Sequence, residues 1–134
     1  MGIEYFIQGH RDGEAAGVPL QLILRAFDKQ ESDHKDGFYR LSYDAAHTCD
    51  FTVTVEDEVV TVICIYKPCA HERLFQSIFE VLCAGPYVLF SPGGNAPVIA
   101  RPDVIDNLPD GMIGALGEPV VVDCADDIFA ALQT

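Results

Sequence analysis

Residues 51–66 constrain the fold more than any other stretch of the chain. Phe51, Val53 and Val55 alternate with Thr52 and Thr54, the period of a strand with one buried face. Val59 to Tyr66 is a second run, rich in β-branched residues, and only Glu56-Asp57-Glu58 separates the two. So short a polar connection makes the runs antiparallel neighbours, and its three acids hold the turn at the surface. Phe38 to Tyr43 reads as a further strand ahead of them, so an antiparallel meander is expected over 38–66. A sheet begun this way belongs to an α+β fold and not to a regular alternation of strands and helices.

The flanking segments fit around that meander. Ile3, Tyr5 and Ile7 alternate with Glu4 and Gln8, which predicts a first strand, ended by the polar loop from Gly9 to Glu14. Pro19 suits a first helical position, and Leu20, Ile23, Leu24 and Phe27 mark one buried stripe of a helix over 19–28. The charged residues 28–37 form a loop. Pro68 ends the third strand of the meander. Leu74, Phe75, Ile78 and Leu82 then line one face of a helix over 71–84, closed by Gly85-Pro86. Tyr87 to Phe90 and Pro97 to Ala100 read as short strands joined as a hairpin around Gly93 and Gly94. Residues 102–108 and 109–116 read as one or two short helices, the second segment capped by Gly117. Val120 to Val122 is an apolar run of the kind found in buried strands, and Asp123 is placed to cap a last helix that buries Ile128 and Leu132.

The expected order is β-α-β-β-β-α-β-β-α-β-α. It describes a single α+β domain over residues 1–134, a mixed and mostly antiparallel sheet with helices packed on one face. Leu20, Ile23, Leu24, Phe27, Val53, Val62, Leu74, Ile78, Leu82 and Val121 are its expected core. At 134 residues, 49% of them apolar, the chain has material for one real core.

Charge narrows the function. Eight Lys and Arg against 21 Asp and Glu leave a net −13. Such a surface repels phosphate backbones and anionic lipid heads, so neither nucleic acid nor a membrane surface is an expected partner. The excess is steepest at the end, where residues 87–134 hold seven acids and a single cation, Arg101. No basic, apolar leader opens the sequence, and five cysteines are an odd number set largely in apolar runs. Reduced thiols and a cytoplasmic setting follow as expectations.

Several constellations have the residue types for chemistry. Ser91 to Asn95 follows a strand as phosphate loops do, but neither a helix pattern nor a lysine follows it, so it reads as a turn and no nucleotide cofactor is expected. His47-Thr48-Cys49 and Cys69-Ala70-His71 are mirrored pairs whose residue types suit zinc. Structural zinc pairs space their cysteines by two to four residues, and neither pair does, so no metal is expected. Cys69 follows Pro68 at the expected start of a helix, where unpaired amides favour a thiolate. With His71 nearby, His47 or His10 approaching through the fold, and a carboxylate such as Asp50, it is a candidate nucleophile. The loop His10, Arg11, Asp12, Glu14 combines a titratable imidazole, a forked cation and two carboxylates, enough for acid–base work or ligand contact. Asp126 and Asp127 lead the acidic exterior, a field able to steer a basic protein partner.

The reading these features favour is a non-enzymatic, acidic protein-binding module with a basic protein as partner. In size and charge alone, and in no motif, the chain is similar to bacterial immunity or antitoxin proteins that plug basic toxins. The alternatives are a small cysteine- or histidine-dependent enzyme, and a small-ligand binder with a pocket beside its sheet.

Overall fold

The computed structural model describes residues 4–91 and 96–133. In chain order the strands are β1 (Glu4–Arg11), β2 (Glu14–Ala15), β3 (Tyr39–Asp44), β4 (His47–Glu56), β5 (Val59–Tyr66), β6 (Tyr87–Phe90), β7 (Val98–Ile99) and β8 (Val120–Val121). The helices are α1 (Leu20–Ala26), α2 (Glu72–Ala84), α3 (Met112–Leu116) and α4 (Ala125–Gln133), with 3-10 turns at Glu31–Asp33 and Pro102–Asn107. Ile3 and the Gly93-Gly94 pair lie outside the described residues.

The meander forms as its pattern demands. β4 and β5 pair antiparallel with Phe51 opposite Ile65 and Val53 opposite Ile63. Asp57 and Glu58 make the turn with φ of 51° and 68°, both left-handed, as a two-residue hairpin matched to strand twist requires. β3 lies on the other side of β4 with Leu41 opposite Cys49. The sheet continues past β5 in an order set by long connections, β3-β4-β5-β1-β6-β7-β8, with β2 folded back on the end of β1. Leu89 faces Val98 in an antiparallel β6–β7 pair, and β7 and β8 run parallel.

Two connections cross the sheet in the same direction. β5 and β6 are both antiparallel to β1, hence parallel to each other, and α2 joins them. β7 and β8 point the opposite way, and residues 102–116 join them. Right-handed crossovers from strands of opposite direction must use opposite faces. The cores agree: Ile7, Ile63 and Leu89 pack with Ile23, Leu74, Ile78 and Ile128, whereas Val88 and Ile99 pack with Val104 and Leu108. So the expectation of helices on one face holds for α1, α2 and α4 only; the parallel β8 forces a second, smaller layer behind the sheet. Within the larger layer Phe27 of α1 stacks on Phe51 at 4.5 Å, and Phe51 stacks on Tyr39 at 5.0 Å.

Of the expected core, Ile23, Leu24, Phe27, Leu74, Ile78 and Leu82 are buried. Leu20, Val53 and Val62 are half-buried, Val62 because strand alternation points it away from the face that takes Ile63 and Ile65. Val121 is a correction. It is 43% exposed, since β8 is an edge strand, and Val122 instead turns inward at 2%. The Asp123 backbone N–H donates to the Asp127 carboxylate at 3.1 Å.

Candidate functional site

The mirrored pairs meet. β4 reaches back to His47, further than the alternation of 51–55 indicated, and carries His47 and Cys49 at i and i+2. The segment between β5 and α2 turns back at Lys67, φ 49°, and lays Cys69 and His71 over the ends of β3 and β4. Helix α2 starts at Glu72, so Cys69 does not sit at its first turn; His71 is the N-cap instead, its Nδ1 accepting the Arg73 N–H at 3.1 Å. The imidazole of His71 stacks on Tyr43 at 4.8 Å and meets the edge of His47 at 5.4 Å. Asp44, the last residue of β3, holds His47 Nδ1 at 2.8 Å and lies 3.9 Å from His71 Nε2. The hydrogen bond from His47, helped by the Ala46 N–H, holds the Asp44 carboxyl below its ordinary range.

Beside this polar group lie two sulfurs. Cys69 Sγ is 3.8 Å from Cys49 Sγ. Burial pushes the Cys49 thiol up to about 12, and a hydrogen bond with the Cys69 backbone opposes that only in part. Burial likewise pushes the Tyr43 phenol up, and the Arg73 guanidinium, 5.5 Å above the ring, opposes that only in part. Asp50, the expected carboxylate, belongs to the opposite face of β4 by alternation and is paired with Arg40 at 2.7 Å.

The imidazoles are engaged with Asp44, Tyr43 and the Arg73 N–H, and the two thiols with each other. Among the described residues no imidazole hydrogen-bonds either thiol, and no group of three His, Cys, Asp or Glu is set to hold a metal ion. His71 shows why. Its Nδ1 is an acceptor, so the ring proton sits on Nε2, toward Asp44. Metal at Nε2 would displace that proton and turn Nδ1 from acceptor into donor against the Arg73 N–H.

The second candidate, His10 to Glu14, is not a loop from strand to helix. Asp12 and Gly13, with φ of 52° and 80°, form a tight hairpin turn between β1 and β2. Asn107 clamps it, taking the Asp12 N–H on Oδ1 and the Gly13 N–H on its carbonyl, both at 3.0 Å. Arg11, Asp12 and Glu14 are exposed, while His10 is 9% exposed with neither ring nitrogen hydrogen-bonded among the described residues. Burial lowers its pKa. It is an interior imidazole, whereas Arg11, Asp12 and Glu14 lie at the surface.

The third feature is the C-terminal edge. β8 has a strand neighbour on one side only among the described residues. Val120 N–H donates to Pro97 at 2.7 Å and Val122 N–H to Ile99 at 2.9 Å. Strand alternation therefore turns the N–H and C=O of Val121 outward. Between this edge and α4 runs a groove of about 390 Å³ lined by Val120, Val121, Asp127 and Ala130. On the other side of α4 a groove of about 300 Å³ lies under Phe75 and the 41% exposed Phe129, which meet edge to face at 5.3 Å, with Glu72 and Asp126 at its rim. Arg101, the last cation of the chain, is tied to Asp103 at 2.9 Å.

Comparison with protein-family models, with curated proteins and with solved structures finds no match to this chain. Among the described residues no helix is long and apolar enough to cross a membrane.

Proposed function

We propose that the chain is a non-enzymatic module that binds a basic protein, taking an extended segment of it along β8 and α4. The observation that carries this reading is the open edge of β8: exposed Val120 and Val121, an outward-turned main chain at Val121, and acids around them. Glu118, Asp123, Asp126 and Asp127 are all exposed, and the one cation of residues 87–134 is already paired. A partner strand that alternates cationic and apolar residues would add to the sheet through its main chain. Its apolar residues would pack on the valines and its cations would meet the carboxylates. The same field argues against a nucleic-acid or anionic-membrane partner. A cytoplasmic setting belongs to this reading, since Cys49, Cys64, Cys69, Cys83 and Cys124 all stand unpaired. The bulk likeness to immunity and antitoxin proteins is consistent with it.

The test runs affinity capture from the cells of origin on three baits side by side: the wild type, Asp126→Lys/Asp127→Lys, and Val121→Pro. Val121→Pro removes the outward N–H and leaves the Val120 and Val122 donors in place. The expected result is a basic partner retained by the wild type and lost or weakened at least roughly tenfold on both variants, with association slowing as salt rises. An acidic partner, an on-rate indifferent to salt, or equal capture by all three baits would show the reading to be wrong.

A further inference from the structure

We propose that Cys49 and Cys69 form a thiol pair that hydroperoxides oxidise to a disulfide, a modification site independent of the β8 edge. The inference begins with contact. At 3.8 Å the two sulfurs touch, and no other cysteine has a sulfur partner among the described residues. A disulfide needs about 2.05 Å between sulfurs, so closure requires a movement of under ~2 Å. Cys49 is fixed within β4 opposite Leu41. Cys69 lies in the connection between β5 and α2, outside both ladders, and supplies that movement.

The two sulfurs are unequal in ways that assign roles. Cys49 is 4% exposed and Cys69 is half-buried, so an oxidant arriving from solvent meets Cys69 first. Burial keeps Cys49 protonated, consistent with a waiting partner and not with a first nucleophile. The Cys69 thiolate attacks the peroxide: a sulfur–oxygen bond forms, the oxygen–oxygen bond breaks, and the alkoxide or hydroxide released takes up the thiol proton. Cys49 then attacks the Cys69 sulfenic acid. The sulfur–sulfur bond forms, the sulfur–oxygen bond breaks, and the hydroxide leaves with the Cys49 proton as water. Two thiols and one hydroperoxide thus give one disulfide, one alcohol or water, and one further water. Contact between the sulfurs makes the second step effectively unimolecular, which favours it over further oxidation of Cys69.

The experiment uses full-length protein carrying Cys83→Ser and Cys124→Ser, which removes the exposed thiols and leaves three of the five. Hydrogen peroxide is added, free thiols are counted after denaturation, and a non-reducing peptide map locates any bridge. The expected count falls from three to one, with Cys49 and Cys69 in one linked peptide and Cys64 free. Adding Cys69→Ser, or Cys69→Ala should the serine protein misfold by circular dichroism, leaves both remaining thiols free. A Cys69 sulfinic acid with Cys49 unlinked, a bridge to Cys64, or no thiol loss would overturn the inference. So would stoichiometric zinc uptake that Cys69→Ser abolishes.

Discussion

Tyr87 offers the sharpest test of the packing. Its side chain is fully buried at the junction of β6 and the segment ahead of α1. The hydroxyl donates to the Val60 carbonyl at 2.6 Å and accepts the Val18 N–H at 3.0 Å. Tyr87→Phe keeps the ring and removes both bonds at once. It strands a part-buried donor and weakens a buried acceptor, at about 1–3 kcal/mol for each group left unsatisfied. The Val60 carbonyl keeps a second lone pair, so the expected total is roughly 2–4 kcal/mol. In a domain of this size that lowers the melting temperature by about 6–16 °C. Guanidinium melts followed by far-ultraviolet circular dichroism would measure it against Tyr39→Phe. Tyr39 is buried less completely and its hydroxyl makes no hydrogen bond among the described residues, so that change should cost under ~0.5 kcal/mol. Burial holds the Tyr87 phenol at about 12, so the difference between the variants should not change between pH 6 and about 9. Equal melts for the two proteins would refute the view that this hydroxyl pins the 16–18 segment to β5.

Three further outcomes are expected. Ile78→Ala, at a fully buried site on α2, should lose roughly 2–5 kcal/mol in the same melts. Glu58→Gly should gain about 0.5–1 kcal/mol despite deleting a side chain, because Glu58 holds a φ of 68° that costs any residue with a Cβ. His10 has no hydrogen-bond partner among the described residues, and burial lowers its pKa below the ordinary 6.5. Its contribution to stability is therefore complete above pH 6.5 and is lost as pH falls from there through the lower folded-state pKa. Urea midpoints at pH 7.5 and 5.5 should converge in His10→Phe relative to the wild type; an unchanged gap would place the pH dependence elsewhere.

Local periodicity carried most of the fold. The stripe Leu74, Ile78, Leu82 placed α2 to within a residue of its observed start at Glu72, because a helix that buries one face announces it every turn. The same logic failed for Val121. A short apolar run looks alike in a central strand and at an edge, and only the 102–116 crossover decides which. His10 was misplaced by composition: six mostly polar residues read as a loop, whereas Asp12-Gly13 is itself a hairpin signal that outweighed them. The convergence of His47, Cys49, Cys69 and His71 was visible only as a mirrored spelling. What joins the halves, Asp44 between the imidazoles and the reversal at Lys67, depends on how β3, β4 and the pre-α2 segment cross in space. No spacing rule in one sequence encodes that.

The place of β1 has a consequence for how the molecule is made. It leaves the ribosome ahead of the other described strands, yet it lies in the middle of the sheet, between β5 and β6. Apart from the two residues that β2 covers, its neighbours are complete only at Tyr66 and Phe90. Until then Phe6 and Ile7 stand without their partners Cys64 and Ile63, while the later meander β3–β5 can already pair with itself. Synthesis order and sheet order therefore run against each other. Nascent chains halted before residue 66 should hold an unpaired, apolar strand open to other chains, the kind of edge from which aggregation starts.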